Sequence, residues 1–251
     1  MTTNLQTLRA GFSIDNLPRT CRDAVIAARR LDIPYLWIDQ LCIIQDSKSD
    51  WLRESANMCS VYENAYVTLA ALDSPDTDHG LFLPSAARRV YQLTAPSMTE
   101  HSDELGIFVR QHSSGGSLGF IHQRARQSSS ALRAEALEDR GWTMQELDLS
   151  PRTLWFSAHE LAWTCRYGTA CECEPTITTE YNLGSTAPII GRKQLTSTLS
   201  SDLKANMQHW QTLVERFTAR GLSVTSDRLP AIAGLARAFQ RHTHDAYLSG
   251  L

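Results

Sequence analysis

"YLWIDQLCIIQDSKSDWLRESANMCSVYENAYVTLAA", residues 35–71, places two apolar runs on either side of a segment with helical spacing. The first run, 35–44, reads as a buried strand that passes into a loop, with Asp39 near the carboxyl end of 35–39. Residues 50–63 read as a helix capped by Ser49 or Asp50, with Trp51, Ser55, Met58 and Tyr62 along its inner stripe. Residues 66–71 read as the next buried strand. Strand, helix and strand in this order predict an α/β sheet with parallel order.

Working outward, "LPRTCRDAVIAARRL" (17–31) reads as a helix ended by Pro34, with Thr20 and Asp23 spaced as a capping box. Residues 73–134 are loop-rich and read as an insertion, with strands expected near "VYQLTA" and "LGIFVRQ". "DRGWTMQELDLSPRTLWF" (139–156) starts like a loop, continues as a helix over 142–148 and breaks at Pro151. "RTLWF" and "ELAWTC" follow as two short strands, a hairpin within 153–165. Residues 174–201 are polar and read as irregular. Two helices close the sequence. The first, 202–220, aligns Leu203, Met207, Trp210, Val214 and Phe217 and stops at Gly221. The second, 228–240, carries Leu229, Ile232, Leu235 and Phe239. The organisation expected is an α/β domain over 1–175 containing the insertion, then a linker and helices over 176–251 packed on the same domain.

The 251 residues are 42% hydrophobic and 20% charged, an ordinary globular balance that supports a sizeable core. A net charge of −3 argues against general nucleic-acid binding. "MTTNLQTLRAG" has no apolar run of the signal-peptide kind, and the apolar stretches fall short of a membrane span, so a cytoplasmic location is expected. Six cysteines sit mostly within apolar patterns, as reduced thiols do. "CRYGTACEC" groups Cys165, Cys171 and Cys173, with His159 upstream. It lacks the C-x2-C spacing of a zinc knuckle, so free thiols and no metal are the expectation.

Phosphate-loop, dinucleotide-binding, nucleophile-elbow and H-E-x-x-H motifs are absent from the sequence. What remains is carboxylates beside tryptophans. Trp142 and Glu146, four apart, share a helix face. Asp39 lies beside Trp37, and Glu54 beside Trp51. Each has a structural reading. Asp39 caps a turn, Glu54 complements a helix dipole, and Glu146 pairs with Arg140 or Arg152.

The stretches from "LPRTCRDA" through "YLWIDQLCIIQ", "DWLRE", "VYENA" and "GLF" to "RGWTMQE" and "LSPR" resemble, in order, the fungal heterokaryon incompatibility (HET) domain family. "SDRLPAIAGLARAF" is similar to the segment that follows that domain. Family members usually carry an earlier strand, Y-x-x-L-S-Y-x-W-G, which is missing ahead of the Leu-Pro helix here. The resemblance implies a TIR-like, flavodoxin-like α/β sheet with flanking helices and a helical C-terminal region. It also implies a part in fungal non-self recognition and programmed cell death. Some TIR domains cleave NAD with a Glu in a W-x-x-x-E helix, and Trp142 and Glu146 match that spacing. The resemblance therefore makes Glu146 a candidate catalytic residue and Glu54 a weaker one. Asp39, Trp142 and Arg140 become candidates for substrate binding, with NAD as substrate and no cofactor. Self-association or contact with other cell-death proteins is the partnership implied, and a non-catalytic interaction module or an inert family member is the alternative.

Overall fold

The computed structural model describes residues 1–83, 90–94, 106–110, 137, 139–157, 161–172, 174–178 and 203–243. After a short exposed helix α1 (Leu5–Ala10), the chain forms α2 (Arg19–Arg30), α3 (Asp39–Cys42), α4 (Lys48–Asn64) and strand β1 (Thr68–Ala71). Strands β2 (Val90–Thr94) and β3 (Gly106–Arg110) form an antiparallel pair of their own inside the insertion. Then come α5 (Gly141–Leu149), β4 (Arg152–Phe156), β5 (Leu161–Cys165), β6 (Gly168–Cys171) and β7 (Glu174–Thr178). The helices α6 (Leu203–Thr218) and α7 (Arg228–Thr243) follow.

The architecture is α/β, as expected. The main sheet has the order β1-β4-β5-β6-β7. The parallel pairing joins β1 to β4, Ala71 opposite Phe156. The other three pairings are antiparallel, beginning with the anticipated β4–β5 hairpin. Residues 174–178, expected to be irregular, form its last strand. Period-2 alternation sorts the side chains onto two faces. Ala70, Trp155 and Ala162 face α5, where they meet Leu147. Leu69, Ala71, Leu154, Phe156 and Leu161 face the other way, onto Ala24 and Ala27 of α2 and onto Leu81. A third cluster fills the helical layer behind α5, from Cys59 of α4 and Met144 of α5 to Trp210, Leu213 and Phe217 of α6 and Ile232, Leu235 and Phe239 of α7.

The strand expected at 35–44 is absent. Leu36 and Ile38 add side chains to the α2-facing core without joining a sheet. At Asp39 the chain turns into α3, and the Asp39 side chain accepts from the Gln40 N–H at 2.7 Å. The apolarity of 35–38 serves packing rather than strand pairing. α4 starts two residues early, at Lys48, capped by Ser47, whose hydroxyl accepts from Asp50 N. Asp50 itself is buried and accepts from Ile44 N at 2.8 Å.

Thr20 and Asp23 are no capping box. Pro18 holds the cap position, and both side chains reach instead to the loop 76–82. Thr20 Oγ1 accepts from Gly80 N at 3.0 Å, and Asp23 Oδ2 accepts from Leu81 N at 2.9 Å and Phe82 N at 3.4 Å. Gly80 adopts φ +88°, and a Cβ there would lie 2.5 Å from Asp23 Oδ2, so the glycine is required twice over. Asp23 thereby seats Leu81 and Phe82 on the sheet. Asp23→Ala would strand two amide donors, one of them fully buried, and should cost about 2 kcal/mol in urea unfolding, with Asp23→Asn losing less.

The two C-terminal helices bury faces that differ from those expected. Met207 and Leu229 are 42% and 54% exposed, while Asn206, Ala231, Ala236 and Ala238 are buried. No described helix is long and apolar enough to cross a membrane. Cys21, Cys42, Cys59 and Cys165 are free thiols. His159, Cys173 and the Cys171 side chain, which the metal question needed, lie outside the described residues.

Candidate functional site

Helix α5 is enclosed on nearly every side, and each side chain has a distinct neighbour. Met144 is fully buried in the helical cluster and Leu147 faces the sheet. Asp148, buried, pairs with Arg216 of α6 at 3.2 Å. At its carboxyl end Ser150 donates to the Glu146 carbonyl and its hydroxyl lies 2.6 Å from that of Thr68 on β1. Pro151 ends the helix. Arg152 then donates to the Tyr66 carbonyl at 3.1 Å and stacks over the Tyr66 ring. The Leu-Ser-Pro-Arg segment is therefore a fastener between α5 and the start of β1.

Trp142 and Glu146 both turn toward α4, as their spacing predicts. The Trp142 ring meets Trp51 edge-on at 6.4 Å, and its indole N–H donates to Asp227 at 3.4 Å. The ring is thus held between α4 and the approach to α7. One turn on, the half-buried Glu146 carboxyl accepts from the Tyr62 hydroxyl. Tyr62 is in turn braced by Trp37, edge-on at 5.7 Å. Asp39 lies near enough for its charge to act on Glu146, Tyr62 and the Cys21 thiol. Arg140, just before α5, and Arg220, just after α6, supply positive charge.

These surroundings hold the Glu146 carboxyl at about 7, up from its ordinary 4.5. Burial is the main cause, and the negative Asp39 adds to it. The Tyr62 hydrogen bond and the charges of Arg140 and Arg220 pull the other way. Burial and the neighbouring carboxylates push the Tyr62 hydroxyl well above its usual range. Cys21 is pushed up by burial first and by Asp39 second. The result is one carboxyl poised near neutrality, beside a hydroxyl, a second carboxylate and two guanidinium groups. Such a set can bind sugar hydroxyls, and it can stabilise positive charge developing at a sugar carbon.

Of the residues proposed from sequence, Glu146, Asp39 and Arg140 come together. Glu54 is engaged elsewhere, accepting from Arg53 Nε at 3.0 Å, while the same guanidinium reaches Asp50. Arg152 is committed to Tyr66 and is not the partner of Glu146. Two members of the group were missed. Tyr62 was read as one more residue of a packing stripe. Arg220 lies just past the end of α6, 74 positions further on, with no local motif to mark it.

The family model described as "Heterokaryon incompatibility protein (HET)" matches residues 2–146, ending at Glu146 itself. Searches of curated proteins and of solved structures found no match.

Proposed function

We propose that this chain, which belongs to the heterokaryon incompatibility (HET) family, acts in fungal non-self recognition as a cell-death effector that hydrolyses NAD at Glu146. The observation that carries this reading is the setting of Glu146. It is half-buried, bonded to Tyr62, charged against by Asp39 and flanked by Arg140 and Arg220. The W-x-x-x-E spacing shared with NAD-cleaving TIR helices supports it.

In the proposed reaction the bond between C1′ of the ribose and the nicotinamide nitrogen breaks, and neutral nicotinamide leaves with the electron pair. The ionised Glu146 carboxylate binds the ribose hydroxyls and faces the oxocarbenium-like charge as it forms. Water adds to C1′ and gives up one proton, leaving ADP-ribose. Tyr62 and Trp37 hold the carboxylate in place. Arg140 and Asp39 contact the dinucleotide, and Trp142 contributes by packing α5 against α4. The reading places the work in the cytoplasm, with no cofactor.

The test is NAD consumption by the purified chain and by Glu146→Gln. Turnover that the substitution removes supports the reading. No turnover in the unmodified chain, or equal turnover in both, leaves the family role to a non-catalytic interaction module.

A further inference from the structure

The start of α5 is held by a segment distant in sequence. Gly221, beyond the end of α6, donates its N–H to the Asp139 carbonyl at 2.6 Å and accepts from Gly141 N at 2.7 Å. Arg140 and Gly221 thus form an isolated parallel bridge. Next to it, Arg220 Nη1 donates to the Arg140 carbonyl at 3.3 Å and to Thr143 Oγ1 at 3.1 Å. Thr143, 2% exposed, donates in turn to the Leu137 carbonyl and, at 2.7 Å, to that of Arg140. Leu222 closes over the first turn of the helix. A Cβ on Gly141 would lie 2.6 Å from Leu222 Cδ2, so only a glycine at 141 admits this contact. Gly221 is not among the residues with positive φ, so its place here is backbone pairing and not a left-handed helix stop.

These contacts converge on one element, and that element carries Glu146. We propose that residues 220–222 form a latch on the amino end of α5, with Arg220 as the positioning residue that sets both the seat of that helix and the charge environment of the Glu146 carboxyl. The groups facing that carboxyl come from four places: Asp39 on α3, Tyr62 on α4, Arg140 at the start of α5 and Arg220 after α6. Arg220 belongs to a region beyond the part matched by the family model, which ends at residue 146. The latch therefore couples the C-terminal helices to the site. As a statement about catalysis it rests on the reading of Glu146 given above.

The experiment follows two signals in the full chain. One is the titration of the Glu146 carboxyl by carbon NMR. The other is amide exchange at Gly141, whose N–H ends on Gly221. Arg220→Met should raise the Glu146 midpoint by on the order of half a pH unit or more, since a favourable positive charge is lost. It should also speed exchange at Gly141 by about tenfold or more. Gly141→Ala displaces Leu222 while keeping the guanidinium, and should move both signals in the same direction. Unchanged midpoint and exchange in folded Arg220→Met, or in Gly141→Ala where Arg220→Met does not fold, overturns the latch. Neither signal depends on NAD. A shifted midpoint in a chain without turnover keeps the latch and removes the reaction, and turnover with unmoved signals does the reverse.

Discussion

Glu146→Gln should lower NAD cleavage by about a hundred- to a thousand-fold, the usual size of effect when one preorganised electrostatic contact to a transition state is removed. Glutamine keeps the shape of the side chain and still accepts from the Tyr62 hydroxyl. It cannot carry the negative charge that faces the developing cation. In the unmodified chain, turnover should rise with pH through about 7, as the carboxyl ionises. The measurement is kcat and KM across pH 5.5–8.5 for both proteins. A loss confined to KM would make Glu146 a binding residue with no part in the bond-breaking step.

The same substitution should stabilise the protein above neutrality. In the fold the Glu146 carboxyl keeps its proton up to about pH 7, whereas the unfolded chain releases it near 4.5. Between these values the folded state holds the extra proton. Stability from this group therefore falls as pH rises from about 4.5 to 7 and stays low beyond. The shift corresponds to about 3 kcal/mol as an upper bound, and solvent reaching the half-buried carboxyl reduces it to on the order of 2 kcal/mol. Glu146→Gln removes this dependence. Urea unfolding should give nearly equal stabilities near pH 4.5 and a more stable variant at pH 8. A variant that is less stable at pH 8 would mean that the charges of Arg140 and Arg220 outweigh burial. A chain that gains stability by losing its candidate working residue shows the trade expected of a functional site.

Much of this was legible in the sequence, and the failures have physical causes. The helix at 142–148 and the hairpin after it were readable because Pro151 punctuates them and the apolar period changes from helical to alternating. The pairing of Trp142 and Glu146 on one face followed from geometry alone. Residues 35–44 misled because a short apolar run has the same composition whether it pairs in a sheet or only packs. Leu36 and Ile38 do the second, and Asp39 turns the chain into α3. Thr20 and Asp23 had the right spacing for a cap, yet their bonds go to Gly80, Leu81 and Phe82, a choice made by tertiary contact. Met207 was placed inside by periodicity, but the inner stripe of α6 runs through Asn206, Trp210, Leu213 and Phe217. Tyr62 and Arg220 could not be assigned to the site, because what joins them to Glu146 is three-dimensional.

The join between β1 and β4 has a consequence for how the molecule forms. Thr68 and Ser150, whose hydroxyls meet at 2.6 Å where the two strands begin, are 82 positions apart in the chain. The β4–β5 hairpin closes over a few residues and can form within microseconds. The parallel pairing must wait for a far longer loop to close, so it should be among the later events in refolding. The entropy of that closure grows only with the logarithm of loop length, and doubling the intervening chain costs roughly 0.6 kcal/mol. Between the Leu81–Phe82 seat and α5, length can therefore vary at little thermodynamic cost, and each change there is felt chiefly as a change in the rate at which the sheet is completed.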